Sequence, residues 1–225
     1  TKIKIQVYQN QFNNICVLII NWIGYVVLMG IVMSGNIAAK VSSTLSSTGT
    51  SSFYLNAAEA SHGDLGSLKK NDILMIFSFS GETEEIIKIF PSCESNVKAI
   101  VSITGNEESF IAKGSYLNLH LEISEEACPL NLAPTTSSSA MLILGDALAI
   151  AILEARKFSP EDFAKNHPGG KLGKSLLKVK DLMISGNSLP ITSDSAHMKD
   201  VIYEISNKGL GPVSYTHLTL PTTLQ

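Results

Sequence analysis

Ser78, Ser80, Gly81 and Thr83 follow directly on the apolar run Ile73–Phe77, and Glu84, Glu85, Ile86, Ile87 and Ile89 come next. An apolar run of that length, rich in strand formers, reads as a strand buried on both faces. The isoleucines behind two acids read as a helix with an acidic first turn. A turn between strand and helix leaves backbone N–H groups without partners, and the hydroxyls beside them add donors. A phosphate oxygen satisfies both. The competing reading is an ordinary helix cap by Ser80, with Thr83 and Glu84 nearby. Other polar groups stand apart: His62 with Glu59 and Asp64, His120, Asp146, and Asn166-His167. Taken singly, His120 reads as a core or edge histidine, and Asp146 as bonding a neighbouring backbone group.

Strand and helix patterns alternate around that turn. Residues 25–29, 52–55, 97–104 and 116–123 read as further strands. Residues 36–47 read as a helix with Ile37, Val41, Thr44 and Leu45 on one face, and 140–155 as an apolar helix against a sheet. Residues 56–68 and 125–139 read as polar loops. Alternation of this kind calls for a parallel sheet with helices on both faces. Ligands of such sheets sit at the C-terminal strand ends. Those ends are expected to hold Ser34 and Gly35, Gly49 and Thr50, residues 78–83, Thr104 and Gly105, and the Thr/Ser run 135–139. Several such turns on one edge favour a phosphate-sized anion. Neither GxGxxG nor GxxxxGK[ST] occurs, so no nucleotide fingerprint supports a nucleotide.

The 225 residues are 44% hydrophobic and 16% charged, with a net charge of −3. That suits a well-buried α/β domain with room for part of another. The absence of a Lys/Arg block argues against nucleic acid or an anionic membrane as partner. Cys16, Cys93 and Cys128 are odd in number and far apart. They suggest reduced thiols in a cytoplasmic protein rather than disulfides or zinc. Residues 15–33 are apolar enough to raise a membrane span. Asn21 and Gly24 divide them, and a helix over 15–23 followed by a buried strand fits as well.

Several segments together resemble a known family: SGNIAAKVSSTLSSTGTSSFY (34–54), EASHGDLG (59–66), SGETEEI (80–86), ITGNEES (103–109), EEACPLNLAPTTSSSAMLILGDALAIAILEARKF (125–158) and FAKNHPGGKLGK (163–174). The chain resembles the sugar isomerase (SIS) domain, and more narrowly the bacterial D-arabinose 5-phosphate isomerases. The resemblance implies a three-layer αβα sandwich on a five-stranded parallel sheet over residues 12–176, assembled as a homotetramer. It implies the opening of a first CBS module over 178–211. Residues 212–225 have no counterpart, and the family's leading helices are missing before residue 12. The implied reaction interconverts D-ribulose 5-phosphate and D-arabinose 5-phosphate through an enediol, feeding synthesis of the sugar acid Kdo for lipopolysaccharide or capsule. It needs no metal or organic cofactor. By the same resemblance the acid/base groups fall on Glu85, Glu126 and His167, the last supplied by a neighbouring copy. Substrate contacts fall on Ser34, Gly49, Thr50, His62, Ser78, Ser80, Thr83 and Thr136.

The chemistry suits those residue types. An aldose–ketose interconversion moves a proton between C1 and C2, and carboxylates and imidazoles can be tuned to carry it near neutral pH. The family's loop Gly-x-Gly-Lys-Ser-Gly departs here to Gly30-Ile31-Val32-Met33-Ser34-Gly35. A functional lysine is thereby Met33, and a glycine is Val32. Asn56 stands where the family has a zinc- and substrate-associated histidine. These departures leave a second reading open, that of a non-catalytic or weakly active sugar-phosphate-binding module.

Overall fold

The computed structural model describes residues 2–167, 179–211 and 214–215. Two compact units divide the chain, Thr1–Ser175 and Leu176–Gln225. In the first, β1 (Val26–Gly30), β2 (Ser52–Asn56), β3 (Ile73–Phe77), β4 (Ala99–Thr104) and β5 (Leu117–His120) form one sheet in the order β2-β1-β3-β4-β5. Every pairing is parallel. Each connection must therefore recross the sheet, and helices do so. The helices are α1 (Lys2–Ile20), α2 (Val32–Ser47), α3 (Ala57–Ala60), α4 (Glu84–Asn96), α5 (Phe110–Gly114), α6 (Thr136–Ala155) and α7 (Pro160–Asn166).

Alternate strand residues face opposite layers. Val26, Leu28, Ile73, Met75 and Phe77 join a core with Ile15 and Ile19 of α1, Val41 and Leu45 of α2, and Leu148 and Ile152 of α6. Val27, Met29, Leu74 and Ile76 join a second core with Ile86, Ile89 and Phe90 of α4 and Ile111 of α5. The central strands β1 and β3 are buried along their whole length. This is why they read as continuous apolar runs.

The expected five-stranded parallel αβα sandwich is thus the fold of the first unit, with shifted boundaries. The stretch 15–33 is not one helix: α1 stops at Ile20 and β1 starts at Val26. Among the described residues, α6 is the one helix long and apolar enough to cross a membrane. It packs on α1 and α2. α2 starts at Val32, ahead of the expected residue 36, and α6 at Thr136, ahead of 140. The expected loop 56–68 holds α3 and a 3-10 turn, Asp64–Ser67, and β5 ends at His120. Among the described residues Asp146 bonds no backbone group: its carboxylate pairs with Lys40 Nζ at 2.5 Å, joining α6 to α2.

The second unit contains α8 (Val179–Leu182), a 3-10 turn (Gly186–Ser188), β6 (Ile191–Thr192), α9 (Met198–Lys208) and β7 (Ser214–Tyr215). β6 and β7 pair in parallel. Of the segments singled out in the sequence, the Pro-Gly-Gly of 168–170, residues 171–178, and 212–225 apart from 214 and 215 lie outside the described residues.

Candidate active site

From β1 the chain crosses to β2 on one side and then to β3 on the other. The loops after β1 and β3 diverge, and this sheet order has its ligand crevice at that switch point. Helices α2 and α4 both begin there. Ile31 at the head of α2 and Thr83 at the head of α4 make no side-chain cap bond. Two helix N-termini thus lack side-chain caps at one sheet edge, where their amides and dipoles favour an anion.

The turn after β3 is held from within. Ser78 is buried, and its Oγ lies 2.8 Å from Thr83 Oγ1 and accepts from Gly81 N at 3.1 Å. Ser80 Oγ accepts from Glu82 N at 3.2 Å. The N-cap position belongs to Thr83, so Ser80 is not the cap of α4. Gly81 has φ +67, and a Cβ there would lie 1.9 Å from Ser109 Oγ. Only glycine meets both demands.

The third wall is the start of α6. Glu126, from the loop before it, caps that helix. Its carboxylate accepts from Thr135 N at 2.8 Å, from Ser137 N at 3.1 Å, and from the Ser137 hydroxyl. Desolvation alone would raise the Glu126 carboxyl, but hydrogen bonds from Ser137, Thr135 and Thr136 outweigh it and hold the group down at about 2. Thr136 Oγ1 accepts from Ala127 N at 2.8 Å, tying the same loop down. Within that loop, backbone N–H groups of Ala133, Leu132 and Leu130 pull the Cys128 thiol below its usual range.

These walls enclose a cavity of about 260 Å³, lined by Ile31, Val32, Met33 and Ser34 after β1, by Phe79, Ser80 and Thr83 after β3, and by Pro134, Ser137, Ser138 and Met141 at the head of α6. Among these described residues the lining is five hydroxyls against an apolar remainder, with no lysine, arginine or histidine. Val32 has φ +50, a left-handed backbone that is unfavourable for a β-branched residue. A larger cavity, about 670 Å³, lies between α1, β5 and α6 and is walled mainly by Phe12, Leu119, Leu121 and Leu144. It lacks the hydroxyl cluster and lies off the switch point, so the smaller cavity is the candidate site.

Of the residues expected to converge, Ser34, Ser80 and Thr83 line the cavity, joined by Ser137 and Ser138 of the 135–139 run. Ser78 and Thr136 do not line it; they brace its walls. Glu126 is bonded to the lining residue Ser137 without lining the cavity itself. Glu85, on the first turn of α4, is exposed and does not line it. His62 is exposed in the turn after α3. Gly49 and Thr50 correct the sequence reading. They follow a helix and precede β2, so they lie at the N-terminal edge of the sheet. Arg156, at the far end of α6, donates to Gly49 O at 3.2 Å and to Thr50 Oγ1 at 3.0 Å. His167 lies at that end too: neighbouring Asn166 donates to Ser47 O at 3.4 Å, and the imidazole stacks on Phe163 with centroids 3.9 Å apart. Within one chain it does not join the cavity. Asn56 caps α3, its Oδ1 accepting from Ala58 N at 2.9 Å.

Phe79 and Met141 line the cavity without having been picked from the sequence. Met141 was legible in principle, because it stands four residues after Ser137 on α6 and shares its face. Phe79 stands between the two serines of the turn.

The SIS domain model matches residues 19–151. The chain is 46% identical over 203 residues to arabinose 5-phosphate isomerase KdsD of Pseudomonas aeruginosa, covering 90% of this chain and 62% of that protein. It is 43% identical over 207 residues to arabinose 5-phosphate isomerase KdsD of Yersinia pestis, covering 92% and 63%. It therefore spans under two thirds of these relatives' length. A protein of E. coli CFT073 solved in complex with arabinose 5-phosphate superposes with a TM-score of 0.69 at 39% identity, over 71% of this chain and 85% of that one. By sequence and by fold, the chain belongs to the SIS domain family.

Proposed function

We propose that this chain is an aldose–ketose isomerase acting on pentose 5-phosphates, interconverting D-ribulose 5-phosphate and D-arabinose 5-phosphate. The observation that carries the reading is the cavity at the β1/β3 switch point, where Ser34, Ser80, Thr83, Ser137 and Ser138 meet beside two helix N-termini without side-chain caps. Neutral hydroxyls and amides can take a phosphate there. Relatives named for this reaction, and a related protein solved with arabinose 5-phosphate, support the substrate class.

In this reading the phosphate anchors the sugar, and a carboxylate takes the C2 proton of the aldose. As that proton leaves, the C1 carbonyl oxygen gains one and the enediol forms; C1 is then protonated while the O2 hydroxyl gives up its proton to become the ketone carbonyl. Glu126 is assigned to this work because its carboxylate is bonded to the lining residue Ser137. Its firm ionisation means that substrate must displace some of its donors before it becomes an effective base near neutral pH. Glu85 is assigned the second carboxylate role, and Ser78 and Thr136 keep the walls in place. His167, and with it Gly49 and Thr50, could serve a site only from a neighbouring copy. His62, exposed in the turn after α3, is assigned a substrate contact by the family resemblance.

An assembly supplies that copy. Ile143, Ala147 and Ile150 form an exposed stripe along α6, with Ile143 70% and Ile150 48% accessible. An apolar stripe of this kind marks a protein contact, and a homotetramer is proposed. We further read residues 178–211 as the opening of a CBS module and the enzyme as cytoplasmic, feeding Kdo synthesis.

A second reading, a weakly active binder, is favoured by Met33 and by a cavity lining without a cation among the described residues. Incubation with D-ribulose 5-phosphate, following formation of the aldose, separates the two. The isomerase reading expects turnover that Ser80→Ala weakens mainly through KM; binding without turnover supports the second.

A further inference from the structure

Tyr54 lies outside the cavity but touches the loop that builds one of its walls. It sits on the edge strand β2, in register with Leu28 of β1. Its hydroxyl donates to Gly30 O at 3.1 Å. A Cβ placed on Gly35 would lie 2.5 Å from the same hydroxyl. The tip of the ring therefore reaches both the first and the last residue of the segment 30–35. All four residues between them line the cavity. One of those four, Val32, holds the left-handed backbone at φ +50. Such a conformation persists only where surrounding structure over-determines it. The Gly35 amide, donating to Ile31 O at 3.1 Å, closes the turn from within. The Tyr54 hydroxyl holds it from outside.

We propose that Tyr54 is a positioning residue for the anion site. Its hydroxyl clamps the segment 30–35 in the strained conformation that brings Ser34 and the first amides of α2 to the cavity. This inference rests on the reading of that cavity as the phosphate-ester site. Gly35 is then glycine for a local reason, since any side chain there would displace the clamp.

Tyr54→Phe removes the hydroxyl and keeps the ring. Loss of one neutral hydrogen bond should weaken binding of D-arabinose 5-phosphate about fivefold by calorimetry. Amide exchange should rise at residues 31–35 and not in β1 or α6, with Tm falling by no more than about 2–4 °C. Gly35→Ala should act in the same direction, although alanine is the better helix former. Adding Val32→Gly should shrink the affinity loss caused by Tyr54→Phe, because the relaxed loop no longer needs holding. Unchanged exchange at 31–35 in Tyr54→Phe overturns the clamp, whatever happens to affinity. Faster exchange there with unchanged affinity overturns its role in the site. If the unmodified chain does not bind the sugar phosphate, the functional reading fails instead, and exchange alone still decides whether Tyr54 holds the loop.

Discussion

Val32 and Met33 concentrate the tension between fold and chemistry in this chain. Val32 holds φ +50, which costs a non-glycine residue about 1–2 kcal/mol. Glycine would remove that cost and add about 0.5–1 kcal/mol of chain entropy. Val32→Gly is therefore expected to raise Tm slightly, by roughly 2 °C. Restoring charge as well, as Val32→Gly with Met33→Lys, should raise turnover at least about tenfold with little change in KM, since the amine acts on charge that develops in the transition state. A tenfold fall in KM with unchanged kcat would instead assign the lysine to ground-state phosphate binding. Glu126 supplies a second test at this scale. Its carboxyl is near 2 in the fold against 4.5 for an unperturbed group. Its contribution to stability is thus complete above about pH 4.5 and is lost as pH falls towards 2. Wild type and Glu126→Gln should differ in Tm above pH 4.5, and the difference should shrink steadily below it. A constant difference would detach Glu126 from the head of α6.

The elements were more legible than their ends. The runs at β1 and β3 are buried on both faces, so composition alone revealed them. The starts of α2 and α6 were hidden because hydroxyl and glycine residues that read as loop are their first turns. Gly49 and Thr50 lie at the opposite sheet edge from the one expected, for a different reason. A glycine turn looks alike at either edge of a sheet, and only its place after a helix and before a strand fixes which edge it occupies. At that position Gly49 has φ +88, and a Cβ would lie 2.6 Å from the Phe158 ring. Gly49→Ala is accordingly expected to lower Tm by roughly 3–8 °C through overpacking. No change in Tm would contradict the close approach of the α2–β2 turn to Phe158.

At the scale of the whole molecule, the cavity was legible as a set of hydroxyls but not as a shape. Ser34, Ser80 and Ser137 are distant in sequence; the adjacency of β1 and β3 brings the first two together, and the packing of α6 on α2 brings the third. The remaining acid/base assignments were not legible from one chain, because His167 lies with α7 at the far end of α2. An assembly through the α6 stripe would bear on this directly. Ile143→Glu should lower the mass measured by light scattering, and turnover should fall with it if His167 acts across the contact. Full turnover by a monomer would confine the chemistry to Glu85 and Glu126.

On the isomerase reading, the cavity performs proton transfer at carbon rather than merely holding a phosphate. The most direct measurement is NMR of D-arabinose 5-phosphate incubated with this chain in D2O. An enediol route predicts conversion to D-ribulose 5-phosphate with deuterium entering at C1 of the ketose, and loss of that conversion in Glu126→Gln. A chain that binds the sugar phosphate yet leaves it unconverted and unlabelled would contradict the account.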